Sequence, residues 1–320
     1  MPQQLSLLGK AEETDNSVLS QLKKRKKPDD WPLAVSYGGG TNSTAMLIAM
    51  QKIGIRPDAI VFADTGNEHP KTYEFLERFD NYLSRVDFPE ITVVRAGVSP
   101  SSIRPRKRTL KQIIGNPKLS LALTYSWLEN HVKQTFGYTT LGDECLLLES
   151  LPAKAMGRSA CSDKWKIKPI RHYLNEKYGC WVECVGIHAG EVSRVLDKNT
   201  GQIRETPEHI FQWYPMIEWK IDQYVSEALC KEYLGEVPRK SSCWFCPNMK
   251  LAEVMELKND YPELFELGCF MERQAMPHVT SKAIKGLGRN FSWNQIDELT
   301  PIEQQLIDIR KYNQNCSCTD

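Results

Sequence analysis

The chain has 320 residues, of which 41% are hydrophobic and 25% are charged, and its formal net charge is +1. That length suits one large or two ordinary domains, and so small a net charge excludes a global field that would attract nucleic acid. No apolar run approaches the ~20 residues that span a bilayer, and the first residues lack the layout of a signal peptide. We therefore expect a globular, cytoplasmic protein with no membrane partner.

The N-terminal part predicts a flexible segment followed by a strand and a helix. Residues 1–30 are polar and end in a charged run, so we expect them to be flexible. The apolar run Leu33–Val35 predicts a buried strand, and three glycines, Gly38 to Gly40, follow it. Thr41 begins an apolar segment that predicts a helix ending at Gly54.

A strand that leads through glycines into a helix N-terminus predicts an anion site. The amides of the first helical turn and the positive end of the helix dipole face the ligand, and glycine lets the backbone approach it closely. The loop matches neither the Walker pattern, with its lysine before serine or threonine, nor Gly-x-Gly-x-x-Gly. It therefore predicts a nucleotide-binding loop of another type, with a simple tight turn as the alternative.

The next elements continue an alternation of strands and helices. Ile60–Ala63 predicts a second strand, the polar turn Asp64–Glu68 follows it, and Pro70 suits the first turn of an amphipathic helix. Ile91–Val94 predicts a third strand. This order predicts an α/β fold, a parallel twisted sheet with helices on both faces, Rossmann-like, whose ligands bind at the carboxyl ends of the strands.

The remainder of the chain is predicted to be mostly helical. Helices are expected over residues 107–114 and 119–135, and another between Asp222 as its N-cap and Gly235 as its end. We expect a nucleotide-binding α/β domain over residues 31–215 and a helical C-terminal region over residues 216–320.

The C-terminal region carries the strongest metal signal, the Cys-x-x-Cys pair of Cys243 and Cys246. Two thiolates at this spacing bind one metal ion, and the other ligands must come from elsewhere. Cys161, which begins a predicted helix beside a basic cluster, is the best third ligand. Soft thiolates suit both an iron–sulfur cluster and zinc. Ten cysteines in a chain with no export signal indicate a reducing compartment.

Four segments in order carry a resemblance to a known superfamily. They are Ser36–Ser43, Asp64–Gly66 with Glu68, Cys161–Pro169, and Gly186–Arg194 followed by Cys243–Pro247. Together they resemble the adenine-nucleotide alpha hydrolases, also called N-type ATP pyrophosphatases or PP-loop ATPases. Within that superfamily the chain is most similar to the phosphoadenylyl sulfate (PAPS) reductase-like branch, including its DNA phosphorothioation-type relatives.

The resemblance implies a site for ATP or a related adenine nucleotide, with Mg²⁺. The resemblance includes Glu191 and Arg194 in that site, and a surface ion pair between them is the alternative. The family's loop carries serine, lysine and aspartate where this chain has Gly38, Thr41 and Asn42, which removes a cation and a partner for Mg²⁺. The residues implied in nucleotide binding are Ser36, Gly38, Gly39, Gly40, Thr41, Asn42, Ser43, Asp64, Thr65, Gly66, Glu68, Lys164, Lys166, Gly186, Glu191 and Arg194.

The resemblance also implies a four-iron, four-sulfur ([4Fe-4S]) cluster, held by Cys161 and the Cys-x-x-Cys pair. Cys145 is the expected fourth ligand, ahead of Cys184 and Cys230. A cluster with three protein ligands is the other arrangement, and zinc is the alternative metal.

Two further features bear on the substrate. The basic run RPRKR lies in the predicted loop after the third strand, where it would contact a nucleic-acid backbone or simply be solvated. Sulfonucleotide reductases of the family use a cysteine near the C-terminus as nucleophile, but their Glu-Cys-Gly-x-His setting is absent here. The residues concerned are Arg104, Arg106, Lys107 and Arg108 in the basic run, and Cys316 and Cys318 as candidate catalytic nucleophiles.

Three functions are consistent with these features. The first is an ATP pyrophosphatase that adenylates nucleic acid for sulfur insertion, with a sulfur-donor protein of the cysteine desulfurase type. The second is a sulfonucleotide reductase that releases sulfite and depends on a thiol reductant. The third is a nucleotide-binding module with altered catalysis. The basic runs and the absence of the reductase tail motif favour the first, and the sequence leaves homo-oligomerisation open.

Overall fold

The computed structural model describes residues 16–96, 126–136, 140–152, 154–155 and 158–312. The strands of these ranges are β1 (Leu33–Tyr37), β2 (Ala59–Asp64), β3 (Ile91–Ala96), β4 (Val132–Phe136), β5 (Lys154–Ala155), β6 (Arg158–Ser159), β7 (Trp181–Val185) and β8 (Ile210–Trp213). The helices are α1 (Asn16–Lys24), α2 (Thr41–Lys52), α3 (Pro70–Arg85), α4 (Ser126–His131), α5 (Leu141–Leu147), α6 (Ala160–Ser162), α7 (Lys168–Tyr178), α8 (Pro215–Glu218), α9 (Gln223–Leu234), α10 (Leu251–Asp260), α11 (Pro262–Ala275) and α12 (Pro301–Tyr312). A π-helical segment, Asp163–Ile167, joins α6 to α7, and short 3-10 helices cover Ala189–Arg194, Met276–His278 and Ile296–Glu298.

A parallel sheet forms the centre of the described fold. Six of its strands follow the order β4-β3-β2-β1-β7-β8, and β5 and β6 form a separate antiparallel pair. All five pairings within the larger sheet are parallel. The α/β fold with a parallel, Rossmann-like sheet, which the alternation of strands and helices predicted, is therefore confirmed.

Alternating side chains along the strands divide the core between the two faces of the sheet. Val35 of β1 and Phe62 of β2 lie in one core with residues of α2, α3 and α9. Ala34 and Val61 lie in a second core with Leu174 of α7. Helices thus cover both faces, and the carboxyl ends of β1, β2 and β7 meet at one edge.

Helix α2 is buried from Thr41 to Met50. A helix that is buried on every side is one that the protein surrounds, and α2 has the sheet on one side and α9 on the other. Burial of Met46, Leu47 and Ile48 contributes roughly 1.5–3 kcal/mol each. The glycine loop is therefore anchored by the most buried helix of the fold's first half.

A separate hydrophobic core lies in the C-terminal region. It joins Leu141 and Cys145 of α5 and Trp165 to Phe245 and Trp293, among other buried residues. The segment from α5 to the π-helical turn therefore packs with the C-terminal helices, although the sequence analysis assigned it to the nucleotide-binding domain.

Two helix predictions have different outcomes. The helix expected up to residue 135 is wrong at its end, since α4 stops at His131 and Val132–Phe136 forms β4, which pairs with β3. The helix after Asp222 is confirmed as α9, because the Asp222 carboxylate accepts from Val225 N at 2.8 Å and Gly235 ends the helix at φ +75°. Residues 107–114 lie outside the described ranges.

Candidate functional site

The glycine loop leads directly from β1 into α2. Gly39 adopts φ +78°, which favours glycine. Gly38 N donates to Ser43 Oγ at 3.2 Å, and Ser43 Oγ contacts Gly40 O at 3.4 Å, so the serine hydroxyl closes the loop. Gly40 is the N-cap and provides no side-chain cap. The first amides of α2 have no intrahelical acceptor, an arrangement that favours an anion.

The residue that follows the carboxyl end of β7, Gly186, packs closely against this loop. A Cβ placed on Gly186 would lie 2.9 Å from Ser43 Cα and 3.0 Å from Ser43 N. Both contacts are to backbone, which has little freedom to move. Gly186 thus allows β7 to approach the N-terminus of α2.

A largely apolar cavity opens beside the loop, on the face of the sheet that α7 covers. Its lining includes Ser36 and Gly38 from the loop side, Phe62 from β2 and Ile170 from α7. Lys166 of the π-helical segment also lines it. An apolar pocket with a few polar groups, next to an anion site, suits a base attached to phosphates.

A buried carboxylate that sequence reasoning missed lies in this cavity. Glu183 of β7 accepts from Arg171 Nη2 at 2.8 Å, from Gln212 Nε2 at 2.9 Å and from Ser36 Oγ at 3.1 Å. The sequence signal was a single carboxylate inside the apolar strand WVECV. Buried charges in proteins are usually paired. The Glu183 carboxylate, paired with Arg171, fixes both Arg171 and Ser36 at the cavity wall.

The polar turn after β2 is held by Asp64, which is fully buried. Its Oδ1 accepts from Tyr73 Oη at 2.6 Å and from Gly66 N at 2.9 Å, and its Oδ2 accepts from Arg95 Nε at 2.8 Å. The turn also needs glycine at position 66, because a Cβ there would lie 2.5 Å from Thr140 Cγ2. In this structure Asp64 positions the turn, and both of its oxygens are occupied.

Glu68, at the other end of the turn, faces a thiol and an amine. Its Oε1 accepts from Thr65 Oγ1 at 2.9 Å and lies 3.0 Å from Lys166 Nζ and 3.9 Å from Cys243 Sγ. Thr65 Oγ1 also lies 3.2 Å from Cys243 Sγ. Glu68 Oε2 is buried without a hydrogen-bond partner among the described residues. Lys166 thus lies between the cavity and the thiol.

The turn and the Cys-x-x-Cys loop are paired through their backbones. His69 N donates to Ser242 O at 3.0 Å, and Trp244 N donates to Asn67 O at 3.1 Å. Glu68 and Cys243 form an antiparallel bridge between these two bonds. The cysteine loop is therefore fixed directly against the edge of the sheet that carries the glycine loop.

The four cysteines expected to bind metal interact electrostatically. Burial raises the pKa of Cys243, as does the neighbouring Glu68. Burial likewise raises the pKa of Cys145, and Cys161 contributes to the rise at both thiols. The Arg289 guanidinium interacts with Cys145, Cys161 and Cys246. Within the described ranges, no three or more Cys, His, Asp or Glu side chains are arranged to hold a metal ion.

The remaining charged candidates form ion pairs. Lys164 contacts Glu144, and Lys168 lies 2.9 Å from Asp163 in an exposed position. Arg194 Nη1 lies 2.5 Å from Glu191 Oε2, in the 3-10 helix after β7. The i, i+3 ion pair that the sequence left open for Glu191 and Arg194 is therefore present. Residues 104–108 and the tail cysteines at 316 and 318 lie outside the described ranges.

His69 makes the stability of this region depend on pH. Burial, with the Arg239 and Lys71 cations, lowers its pKa from 6.5 to about 3. Between those values the unfolded chain binds a proton that the folded protein does not, so stability falls as the pH drops below 6.5. We expect a loss of about 2 kcal/mol between pH 7 and pH 5.

Urea denaturation at the two pH values measures this loss. The matched variant His69→Asn retains an acceptor for the first turn of α3, where His69 Nδ1 now accepts from Lys71 N at 3.2 Å. It is expected to remove most of the pH dependence. If His69→Asn lost as much stability between pH 7 and pH 5 as the wild type, other groups would be responsible for the pH dependence.

These features define a class of protein. A glycine loop at the carboxyl edge of a parallel sheet, with a mostly apolar cavity beside it, is a nucleotide-binding arrangement on an α/β fold. Among the helices of the described residues, none combines the length and apolar composition needed to cross a membrane.

Comparison with known proteins finds similarity over part of the chain. The family described as phosphoadenosine phosphosulfate reductase domain matches residues 32–103, from β1 to beyond β3. The chain is also 27% identical over 168 residues to the uncharacterized nin region protein ORF290 of Escherichia phage lambda, a match that covers 51% of this chain and 50% of that protein. The chain thus spans half the length of that relative. The similarity to the phosphoadenosine phosphosulfate reductase domain thus covers the first three strands of the sheet.

Proposed function

We propose that this protein is a PAPS reductase-like enzyme that binds an adenine nucleotide, with the phosphates at residues 38–43 and the base in the adjacent cavity. The observation that carries the proposal is the N-terminus of α2, which has no side-chain cap, lies against Gly186 and borders that cavity. The match of residues 32–103 to the PAPS reductase domain supports an enzyme that acts on adenine nucleotides.

The reaction we propose is adenylate transfer from ATP. A substrate oxygen attacks the α-phosphorus, the bond to the bridging oxygen breaks, and pyrophosphate leaves with that electron pair. In this proposal the α2 amides stabilise the developing negative charge, and Ser43 holds the loop that presents them. Mg²⁺ would neutralise phosphate charge, and Glu68 Oε2, a buried carboxylate oxygen without a partner among the described residues, suits such a cation.

The acceptor we propose is nucleic acid, with subsequent displacement of AMP by sulfur. Support comes from the sequence, since the basic run at residues 104–108 follows β3. The structure adds that the turn after β2 joins the nucleotide side to the cysteine loop, so activated substrate and thiols would lie near each other. A sulfur-donor protein would supply the sulfur.

A sulfonucleotide reductase is the second candidate. The observation that favours it is the family match itself, because the family is named for phosphoadenosine phosphosulfate reduction. In that reaction a thiol attacks the sulfur of the sulfonucleotide, the nucleotide leaves with the bonding electrons, and a thiol reductant then releases sulfite.

Product analysis separates these functions. Anaerobically purified protein is incubated with ATP and Mg²⁺, or with phosphoadenylyl sulfate and a dithiol, and the products are separated by chromatography. AMP with pyrophosphate is the result expected here. Sulfite would favour the reductase, and binding without any product would leave a nucleotide-binding module.

We also propose that four of the cysteines bind a [4Fe-4S] cluster. The donor set fits the chemistry, because Cys145, Cys161, Cys243 and Cys246 belong to or border one apolar core, and soft thiolates suit iron–sulfur clusters. Their present arrangement is not that of a preformed metal site. A bound cluster would supply electron transfer or an iron that binds sulfide.

The cluster proposal makes a specific prediction for substitution of Cys243. Anaerobically purified wild-type protein is expected to contain about four irons per chain and to absorb near ~400 nm. Cys243→Ala is expected to lose both. Cys269→Ala is the matched control, because Cys269 is also buried in this core but has none of the electrostatic links among the other four.

Iron and sulfide assays, with metal analysis for zinc, give the readout. Stoichiometric zinc without visible absorption would show that the cysteines bind zinc and not an iron–sulfur cluster. Wild-type protein free of metal after anaerobic purification would contradict both.

A further inference from the structure

The segment that precedes the Cys-x-x-Cys loop crosses the glycine loop. At one end, Thr41 Oγ1, in the first turn of α2, donates to Pro238 O at 2.7 Å. At the other end, His69 N, at the N-cap of α3, donates to Ser242 O at 3.0 Å. Residues 238–242 therefore connect the N-termini of two long helices, both of which favour an anion.

Three polar atoms in this region lack partners among the described residues. They are Thr72 Oγ1, Ser241 Oγ and Arg239 Nε. Thr72 is 1% exposed and Ser241 is 3% exposed. Thr72 packs against the glycine loop through its methyl group, because its Cγ2 lies 3.3 Å from the position of a Cβ on Gly39. A buried hydroxyl without a partner has lost its hydrogen bonds to water, so a ligand that accepts from it would recover that loss.

The Arg239 guanidinium is poorly satisfied by its neighbours. Its side chain is only 17% exposed, and its Nη2 lies 3.9 Å from Glu256 Oε2, beyond hydrogen-bond distance. Its Nη1 lies 2.5 Å from His69 Nε2. The guanidinium Nε therefore has no partner within the described residues, and the ion pair with Glu256 is long.

We propose that Arg239, Ser241 and Thr72 form an oxyanion subsite next to the glycine loop, which takes the terminal phosphate or sulfate group of the bound nucleotide. The loop from Gly38 to Ser43 has no charged residue of its own. Arg239 supplies the cation, and the two hydroxyls supply neutral donors. This subsite rests on the proposed nucleotide site and assigns its anionic end.

Isothermal titration of the full chain with AMP, pyrophosphate and sulfate, each alone, tests the subsite. AMP binding by wild type tests the nucleotide site, and pyrophosphate binding tests the subsite. Tighter binding of pyrophosphate than of sulfate would assign a phosphate chain, and the reverse would assign a sulfonucleotide. Both results support an oxyanion subsite.

Arg239→Gln is expected to weaken binding of the preferred anion by about ten-fold or more, with AMP affinity unchanged. Arg239→Lys should retain most of the affinity, since it keeps the cation. The control is Arg78→Gln, because Arg78 forms an exposed pair with Glu236, three residues before Arg239. It should leave all three affinities unchanged.

Thr72→Val and Ser241→Ala separate a ligand role from a structural one. Each replaces an unsatisfied hydroxyl, so each should raise the melting temperature while weakening anion binding about three-fold or more. A raised melting temperature with unchanged anion affinity would overturn the subsite. So would Arg239→Gln with wild-type anion affinity in a protein that binds AMP. Wild type that binds neither AMP nor an anion would refute the nucleotide site as well.

Discussion

Replacement of Gly186 by alanine is expected to weaken nucleotide binding strongly and to destabilise the fold. The added Cβ would meet the backbone of Ser43 at 2.9–3.0 Å, a separation that neither β7 nor α2 can relieve without moving. Overpacking of this kind costs about 1–3 kcal/mol. The movement would also displace the amides that face the phosphates, so we expect an affinity loss of at least about ten-fold.

Urea denaturation and titration with AMP measure the two effects of Gly186→Ala. Gly190→Ala is the matched control, because it lies after the same strand and its Cβ would meet only the ring of His188, at 3.0 Å. A side-chain ring can shift, whereas the Ser43 backbone cannot. If Gly186→Ala retained wild-type AMP affinity, the close approach of β7 to the loop would have no part in binding.

Removal of the Glu183 carboxylate is expected to have the largest effect on stability. Glu183→Ala leaves Arg171 without the carboxylate that it contacts at 2.8 Å. Ser36 and Gln212 lose their hydrogen-bond acceptor as well. Breaking a buried pair on one side costs about 3–5 kcal/mol. Arg171 is partly exposed, so we expect about 3 kcal/mol from urea denaturation.

The matched comparison is the double variant Glu183→Leu with Arg171→Met. It removes both charges and restores apolar volume, so it should recover much of the stability lost in Glu183→Ala. A stability equal to that of wild type in Glu183→Ala would show that the pair is not needed for folding. Loss of AMP binding in the double variant, with stability regained, would assign the pair to the ligand cavity.

The α/β core could be predicted because its signals are local. Runs such as Ile60–Ala63 are buried on both faces, and Gly54 and Pro70 mark where helices end and begin. β4 could not be predicted, since Val132–Phe136 continues directly from a helix and is defined by its pairing with β3. Its strand character depends on a neighbour more than thirty residues away, which no local pattern contains.

The candidate site was only partly predictable for the same reason. The glycine loop and the Cys-x-x-Cys pair were each recognised from adjacent residues. That Glu68 would lie against Cys243, 175 residues further on, follows from packing of the C-terminal region on the sheet edge. Glu183 and Arg239 were missed because a lone charge has no spacing to interpret, and its role is apparent only from what surrounds it.

The most direct test of the nucleotide site is a crystal structure with a non-hydrolysable analogue, α,β-methylene ATP, soaked with Mg²⁺. The account predicts phosphate density within hydrogen-bond distance of the Gly39–Ser43 amides and the base in the cavity that Ser36 and Ile170 line. An analogue bound with its phosphates away from the N-terminus of α2, or an empty loop at saturating analogue, would contradict it.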